Sequence, residues 1–296
     1  MNKDFSEQTA DNSSSLEENA QAGSTDKQPT INASDAGKQS TASISEVGNI
    51  HSIDTATGEE APAELSSKRV KQIFTDIAWK YERFNALSSF GRYRSWLRTL
   101  IDKSPITPES RLLDIAGGTG DVAFTACAQK PPTSIVLSDY TPAMLEVAQA
   151  RLDAGEAKGV PVELAVVDGQ NIPYEDEQFD ILTMSYGIRN MPERERALSE
   201  MYRVLKPGGA LCVLEFSTPP NPLMRLGYRL YLRWGIPTWG KLVTGDASGF
   251  VYLAKSIKAF PNQKGFTKIL KDAGFSRVEY TNVTFGVAAV HIAYKD

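Results

Sequence analysis

The fold is decided by residues 113–121, which read Leu-Asp-Ile-Ala-Gly-Gly-Thr-Gly-Asp. An apolar strand runs directly into a glycine-rich turn followed by a helix, and such a turn lets the backbone approach a ligand closely. The spacing differs from the Gly-x-Gly-x-x-Gly pattern of dinucleotide-binding turns, because no third glycine stands where a pyrophosphate would need one. A nucleoside without phosphates fits this turn better, although loop glycines also occur without any ligand.

Strand-like and helix-like segments alternate on both sides of this turn. The predicted strands are Arg111–Ala116, Ser134–Ser138, Val162–Val167, Phe179–Ser185 and Ala210–Phe216, and the predicted helices are Asp121–Gln129, Pro142–Leu152, Glu193–Leu205 and Lys264–Ala273. Two final runs, Phe275–Tyr280 and Phe285–Tyr294, are close enough to pair as an antiparallel hairpin. The pattern predicts an α/β protein with a doubly wound, mainly parallel seven-stranded sheet that ends in an antiparallel hairpin.

The two parts of the chain differ in composition. Residues 1–67 consist mainly of small and polar residues, and we predict a disordered tail because they cannot bury enough apolar surface to form a core. Apolar residues recur at helical spacing from Val70 to Phe84, and a second helix is expected from about Ser89 to Ile101. The folded domain is predicted to span residues 68–296, with an aromatic and basic insertion at about 218–261.

Charge and cysteine content exclude several classes of protein. The 296 residues carry a formal net charge of −4, which gives no overall attraction to nucleic acid. Cys127 and Cys212 stand in apolar segments without metal-ligand spacing, so we expect reduced, buried thiols and no metal. No apolar run is long enough to span a membrane and no signal-peptide pattern is present, which predicts a cytoplasmic protein.

Polar residues follow the second, third and fourth predicted strands. Asp139 stands where an acid contacts the ribose hydroxyls of a nucleoside cofactor, although it could also cap the helix that begins near Pro142. Asp168 could accept a hydrogen bond from an adenine amino group, or Asp168 and Gly169 could simply form a turn. Ser185 ends the fourth strand. Because ligands of parallel sheets bind beyond the carboxyl ends of the strands, these residues predict one nucleoside site.

Four longer motifs stand out: residues 116–121 (Ala-Gly-Gly-Thr-Gly-Asp), 187–190 (Gly-Ile-Arg-Asn), 200–209 (Glu-Met-Tyr-Arg-Val-Leu-Lys-Pro-Gly-Gly) and 214–217 (Leu-Glu-Phe-Ser). Together they resemble the quinone-biosynthesis C-methyltransferases, the family of demethylmenaquinone methyltransferase and its ubiquinone-pathway counterpart. The third motif is shared by many class I methyltransferases, whereas the second and fourth are more specific to this family. The resemblance extends from about Val70 to the end of the chain.

The resemblance implies the class I methyltransferase fold and S-adenosylmethionine as the methyl donor. It assigns cofactor contacts, by position, to Thr119, Asp139, Asp168, Gly169 and Ser185, to which the glycine turn adds Gly117 and Gly118. The implied reaction is C-methylation of demethylmenaquinol to menaquinol, with the methoxy-polyprenyl-benzoquinol of ubiquinone synthesis as the alternative. This chain departs from the family at three positions: it has Tyr93 where the family commonly has a histidine, and Ser248 and Lys255 where the family commonly has acidic residues. The resemblance therefore specifies the cofactor better than the quinol.

Such a methyl transfer needs positioning and an electrostatic partner rather than a covalent nucleophile. A sulfonium methyl group is already activated, and a quinol ring carbon becomes more nucleophilic as a phenolic proton leaves. Arg189 is the candidate catalytic residue, because it could stabilise a phenolate or orient a water that takes the proton; the alternative is an arginine that only pairs with a carboxylate. His291 lies in an apolar run and is expected to belong to the core.

Residues 222–241 have the pattern of a basic amphipathic helix. Arg225, Arg229 and Arg233 recur every four residues among leucines and aromatic residues, which fits an interfacial helix or a lid on the protein's own domain. The expected partners are a polyprenyl quinol and the surface of the inner face of the cell membrane, and no nucleic acid is expected. The sequence is also compatible with assembly into a homo-oligomer. The competing hypotheses are methylation of a soluble phenol or amine, a non-catalytic cofactor-binding protein and a nicotinamide dehydrogenase.

Overall fold

The computed structural model describes residues 89, 91–236, 238 and 248–296. The predicted tail at 1–67, the helical stripe from Val70 to Phe84 and residues 239–247 of the insertion lie outside these described residues. In chain order the main elements are α1 Tyr93–Lys103, β1 Arg111–Asp114, α2 Asp121–Gln129, β2 Ser134–Asp139, α3 Pro142–Asp153, β3 Val162–Val166, β4 Phe179–Ser185, α4 Arg194–Val204, β5 Leu205–Phe216, α5 Pro222–Leu230, α6 Ser248–Ala259, α7 Gln263–Asp272, β6 Arg277–Val283 and β7 Ala288–Tyr294. Most of these elements fall within a few residues of the predicted boundaries.

The strands form one seven-stranded sheet with the order β3-β2-β1-β4-β5-β7-β6. Strands β1 to β5 run parallel, and β7 lies antiparallel between β5 and β6. The predicted doubly wound sheet with a terminal antiparallel hairpin is therefore confirmed. Because β1 to β5 are parallel, their carboxyl ends meet at one edge of the sheet, where a ligand can bind.

The fifth strand is longer than predicted. Leu205 already pairs with Phe179, and pairing then resumes with Ala210 opposite Ile181, so residues 206–209 form an irregularity within the strand. The preceding helix α4 consequently ends at Val204, one residue before its predicted end. The motif at 200–209 thus joins a helix to the strand that borders β4.

Apolar side chains fill both faces of the sheet, as expected for parallel strands covered by helices. Leu100 of α1 and Leu112 of β1 are fully buried in one core cluster. Leu113 of β1 and Phe266 of α7 are fully buried in the other, because neighbouring residues of a strand point to opposite faces. Each fully buried side chain of this size contributes about 1.5–3 kcal/mol to folding, so both layers hold the sheet in place.

Most of the insertion that the structure describes is helical, beginning at Pro222. Asn221 caps α5, since its Oδ1 accepts hydrogen bonds from the N–H groups of Leu223 and Met224 at 2.9 and 3.2 Å. A π-helical stretch, Tyr231–Gly235, continues the path of α5. Within the described ranges, no helix combines the length and apolar character needed to cross a bilayer.

Candidate active site

The glycine turn after β1 packs tightly against β2. The Gly117 N–H donates a hydrogen bond to the carbonyl oxygen of Ser138 at 2.8 Å. A Cβ atom on Gly117 would collide with Leu137 Cδ1 and lie 2.7 Å from Asp114 Oδ2, so a side chain does not fit there. Gly118 has a φ of 59°, in the left-handed region that favours glycine. Both predicted glycines are thus needed for the shape of the turn.

Asp139 holds this turn from the end of β2. Its Oδ2 accepts a hydrogen bond from the Gly118 N–H at 2.9 Å, and its Oδ1 accepts one from the Thr141 N–H at 2.8 Å. Burial raises the pKa of the carboxyl above its ordinary value, and the two N–H donors oppose that rise. Thr141, not Asp139, occupies the N-cap position of α3, so the carboxylate does not serve as the helix cap.

An open cleft lies beyond the carboxyl ends of β1 to β4. Its walls include these residues of the predicted cofactor site: Gly118, Asp139, Asp168, Gly169 and Ser185. Gly117 and Thr119 belong to the same turn but do not line the cleft. Thr119 is buried, and its hydroxyl has no hydrogen-bond partner among the described residues. The structure therefore brings most of the predicted cofactor residues to a single cavity.

The turn after β3 connects the cleft to the loop after β4. Asp168 Oδ1 accepts a hydrogen bond from the Gln170 N–H at 2.9 Å, so Asp168 shapes a turn as well as lining the cleft. Gln170 Oε1 in turn accepts from the N–H of Glu193 at 2.8 Å. A Cβ atom on Gly169 would lie 2.7 Å from Met191 Cε, so glycine allows the two loops to touch.

Two residues with strained backbone lie where the ends of β1 and β4 meet. Ala116 and Tyr186 have φ values of 52° and 59°, which side chains with a Cβ rarely adopt. A Cβ atom on Gly187 would lie 2.8 Å from the Cβ of Ala116, so these two loops are in direct contact. Strained backbone of this kind costs of order 1–3 kcal/mol per residue and is enriched at binding sites.

Asp114 is fully buried beneath the glycine turn. Its Oδ1 accepts a hydrogen bond from Thr183 Oγ1 at 2.7 Å, while its Oδ2 has no partner among the described residues. Burial raises the pKa of this carboxyl to about 7, against the opposing effect of the Thr183 hydroxyl. The floor of the site therefore contains an acid that can be neutral near physiological pH.

The side chain of Arg189 is only 7% exposed and does not line the cleft. Its Nη1 donates hydrogen bonds to the Tyr186 carbonyl oxygen at 2.7 Å and to Glu215 Oε1 at 2.8 Å. Its guanidinium carbon lies 5.7 and 5.4 Å from the ring centroids of Tyr186 and Phe216. The carboxylate pairing that was the alternative interpretation is thus present, and the catalytic role of Arg189 stays a prediction.

The structure describes the side chains at two of the positions where this chain departs from the family pattern, Tyr93 and Lys255. The Tyr93 hydroxyl donates to Asp121 Oδ2 at 2.7 Å, and its ring centroid lies 5.9 Å from that of Tyr186. Lys255 lines a groove between α5 and α6 that also contains Arg229. Tyr93 therefore links α1 to the glycine turn, and Lys255 adds positive charge to the insertion.

His291 is a core residue, as expected. It is buried, with its Nε2 3.1 Å from the carbonyl oxygen of Gln263. Burial lowers the pKa of its ring to about 4. The imidazole is therefore neutral near neutral pH and lies away from the cleft.

Sequence reasoning missed three residues that shape the site. Tyr140 lines the cleft with 45% of its surface exposed, and its only sequence signal was its position after Asp139. Asn190 also lines the cleft, and its Oδ1 accepts a hydrogen bond from the Tyr252 hydroxyl at 2.8 Å. Its place beside Arg189 in the Gly-Ile-Arg-Asn motif was a usable signal, whereas nothing in the sequence connected Tyr252 to this loop.

The cleft fits S-adenosylmethionine. Two carboxylates, Asp139 and Asp168, line it, and the described lining residues include no lysine, arginine or histidine. That charge distribution suits a sulfonium nucleoside and disfavours a pyrophosphate. The buried hydroxyl of Ser185 has no partner among the described residues and is available to a ligand. The fold and the site together define a class I S-adenosylmethionine-dependent methyltransferase.

The chain belongs to the ubiE/COQ5 methyltransferase family, which matches residues 63–295. It is 43% identical over 226 residues to the ubiquinone/menaquinone biosynthesis C-methyltransferase UbiE of Dinoroseobacter shibae, covering 76% of this chain and 90% of that protein. It is 41% identical over 237 residues to the protein of the same name from Francisella tularensis subsp. novicida, covering 80% of this chain and 94% of that protein. The predicted family is therefore confirmed.

Solved structures with lower sequence identity share the fold. The [4+2]-cyclase SpnF superimposes with a TM-score of 0.57 at 17% identity, covering 79% of this chain and 97% of that one. A putative methyltransferase of Haloferax volcanii, solved with its Trm112 activator, gives a TM-score of 0.55 at 15% identity, covering 75% and 96% of the two chains. These similarities support the class I fold.

Proposed function

We propose that this protein transfers a methyl group from S-adenosylmethionine to a ring carbon of demethylmenaquinol, giving menaquinol. The observation that carries the proposal is an aromatic wall beside the cofactor cleft. Tyr186 lines the cleft, its ring centroid lies 4.8 Å from that of Phe216, and the buried Arg189 stands over both rings. Such a wall suits a flat bicyclic quinol. The relatives named for ubiquinone and menaquinone synthesis support the same class of substrate.

Catalysis in this proposal consists of alignment and charge stabilisation. S-adenosylmethionine supplies the activated methyl group when it is bound. Asp139, Asp168 and the glycine turn hold the nucleoside, and the Tyr186 wall orients the quinol ring so that a carbon faces the donor. The guanidinium of Arg189 stabilises negative charge as it develops on the phenolic oxygen. The apolar surroundings strengthen this interaction because they exclude water.

The experiment that tests the substrate is mass spectrometry of methyl transfer from labelled S-adenosylmethionine. Short-chain demethylmenaquinol and methoxy-polyprenyl-benzoquinol are offered separately, each kept reduced. We expect selective methylation of the naphthoquinol. Selective methylation of the benzoquinol would move the assignment to ubiquinone synthesis, and turnover of neither quinol by protein that binds the cofactor would refute a quinol substrate.

The same proposal places the protein at the inner face of the cell membrane, where polyprenyl quinols reside. Leu223, Leu226, Leu230 and Trp234 recur along α5 and the π-helical stretch, and each exposes more than half of its surface. Arg229 lies on the same segment, beside the groove between α5 and α6. An exposed apolar row flanked by cations fits an interfacial helix on anionic lipid.

Membrane binding can be tested by sedimentation with vesicles of phosphatidylcholine, with and without phosphatidylglycerol. We expect the protein to sediment with the anionic vesicles, and the double variant Leu226→Gln and Trp234→Gln to remain in the supernatant because it lacks two apolar anchors. A matched control is Tyr280→Gln, which removes an exposed aromatic group from β6, away from the insertion. Equal sedimentation of all three proteins would contradict the assignment of this surface.

A further inference from the structure

We propose that Glu215 takes the phenolic proton of the quinol and is a second catalytic residue beside Arg189. This inference rests on the proposed function and assigns a role to the Leu-Glu-Phe-Ser motif at 214–217. Ser185, at the end of β4, lines the cofactor cleft and pairs in register with Leu214 of β5. Glu215 is the next residue along β5. It therefore stands at the substrate side of the edge that holds the cofactor site.

Several polar atoms are buried in this region without a hydrogen-bond partner among the described residues. They include Arg189 Nε, Arg194 Nε, Glu215 Oε2, Ser217 Oγ and Tyr228 Oη. Native proteins satisfy nearly all buried polar groups, because a buried donor or acceptor without a partner loses the hydrogen bonds that it makes with water in the unfolded chain. Several such atoms around one ion pair indicate a place where a ligand supplies the missing hydrogen bonds.

The ion pair fixes which oxygen of Glu215 is available. Oε1 accepts hydrogen bonds from Arg189 Nη1 at 2.8 Å and from the N–H of Phe216 at 2.8 Å, while Oε2 accepts none. A phenolic hydroxyl is both a donor and an acceptor. It can donate to Glu215 Oε2 and accept from Arg189 Nε, which satisfies both atoms at once.

A route to this pair starts in the groove between α5 and α6, which has a volume of about 720 Å³. Tyr228 lines the groove and lies close enough to Arg189 and Glu215 for both charges to affect the pKa of its hydroxyl, which burial raises. Thr218, which directly follows Ser217, lines the groove as well. A quinol whose prenyl chain occupies this groove can therefore present its ring to the pair.

Glu215 accepts one proton and returns it in each turnover. Glu215 Oε2 takes the phenolic proton, and the electron pair left on oxygen raises the nucleophilicity of the ring carbon, which forms the C–CH₃ bond as the S–CH₃ bond breaks. The methylated carbon then loses its hydrogen as a proton to water, and the oxygen regains its proton from Glu215. One proton is released for each methyl group transferred, and Glu215 returns to its starting state.

The test compares Glu215→Gln with the wild-type protein on the reduced quinol that the wild type methylates. We expect kcat to fall by about 10²–10⁴-fold, the usual contribution of general-base catalysis, with little change in the Kd of S-adenosylmethionine. Burial raises the pKa of the Glu215 carboxyl, and the charge of Arg189 opposes that rise. Arg194 of α4 and the hydroxyls of Tyr228 and Tyr252 are further charged or titratable groups that interact with this carboxyl. Wild-type kcat should fall as the pH drops through the raised pKa of Glu215. The variant should lose this acid limb of the pH profile.

Two further variants separate catalysis from structure. Glu200→Gln changes a carboxylate that pairs with Arg203 outside the site, with Nε to Oε1 at 2.8 Å, and it should keep both kcat and the acid limb. Glu215→Asp keeps the charge opposite Arg189 but withdraws the carboxylate by one carbon. Glu215→Asp should fold, lose at least about tenfold in kcat and retain the acid limb. It therefore tests the role of Glu215 even if Glu215→Gln does not fold.

The outcomes distinguish the two proposals. Wild-type turnover combined with an unchanged kcat in Glu215→Gln or Glu215→Asp would overturn the role of Glu215 alone. A lower melting temperature with an intact acid limb in Glu215→Gln would assign the residue a structural role and would also overturn the inference. Turnover of neither quinol by the wild-type protein would refute the proposed function and the role of Glu215 with it.

Discussion

The buried carboxyl of Asp114 is expected to weaken the fold as the pH rises. Its pKa is raised from 3.8 to about 7 in the folded protein. Above its ordinary pKa the unfolded chain has lost this proton, whereas the folded protein keeps it until about pH 7. The unfolded state therefore binds fewer protons over this range, and stability falls with increasing pH.

The magnitude follows from the width of that range. From about pH 5 the loss is about 1.4 kcal/mol per pH unit, and this slope falls to about half as the pH reaches the folded pKa of about 7, so the total loss is about 2 kcal/mol. Asp114→Asn has no proton to lose, so its stability relative to wild type should increase by this amount over the same interval. Thr183→Val removes the hydroxyl that donates to Asp114 Oδ1 at 2.7 Å and that lowers the pKa of this carboxyl. In this variant the loss of stability should therefore continue to a higher pH than in the wild type.

The assay is urea unfolding of the cofactor-free protein at several pH values from about 5 to about 8, with the free energy of unfolding plotted for each variant. Ser138→Ala is the matched control. It removes a buried hydroxyl that donates to the Asp114 carbonyl oxygen at 2.9 Å, without removing a titrating group. Its curve should run parallel to that of the wild type. If the Asp114→Asn curve is also parallel to the wild-type curve, the argument from burial is wrong.

Four further substitutions, one of them a matched control, test the site and its support. Gly117→Ala should lower the free energy of unfolding by about 1–3 kcal/mol, because the added Cβ overpacks the turn. The control Gly227→Ala in α5 places its Cβ where no atom lies within 4 Å, so it should raise the free energy of unfolding by up to about 1 kcal/mol. Equal urea midpoints for the two variants would contradict this reasoning. Asp139→Ala removes the acceptor of two turn N–H groups, and calorimetry should show at least about tenfold weaker binding of S-adenosylmethionine; unchanged affinity would rule out its role. Lys295→Met loses the ammonium that donates to the Leu205 carbonyl oxygen at 2.6 Å, which should lower the melting temperature without changing cofactor affinity.

The parallel sheet and the glycine turn could be predicted because they depend on local patterns. Strand and helix periodicity, a glycine run after a strand and an acid after the next one are properties of short segments. The parallel direction of successive strands then follows from the helices that connect them. Asp139, at the end of β2, and Asp168, after β3, consequently reach the same cleft in the structure, as their positions in the sequence predicted.

Contacts between distant segments required the tertiary structure. The sequence left open whether Arg189 pairs with a carboxylate, and only the packing of β4 against β5 places it 2.8 Å from Glu215, which is 26 residues away. The hydrogen bond between Tyr252 and Asn190 joins residues 62 positions apart. The fold class, the glycine turn and the family motifs were thus determined by the sequence itself. The buried ion pair, its unsatisfied atoms and the groove beside it depend on how side chains from different elements fill shared space, which local periodicity does not encode.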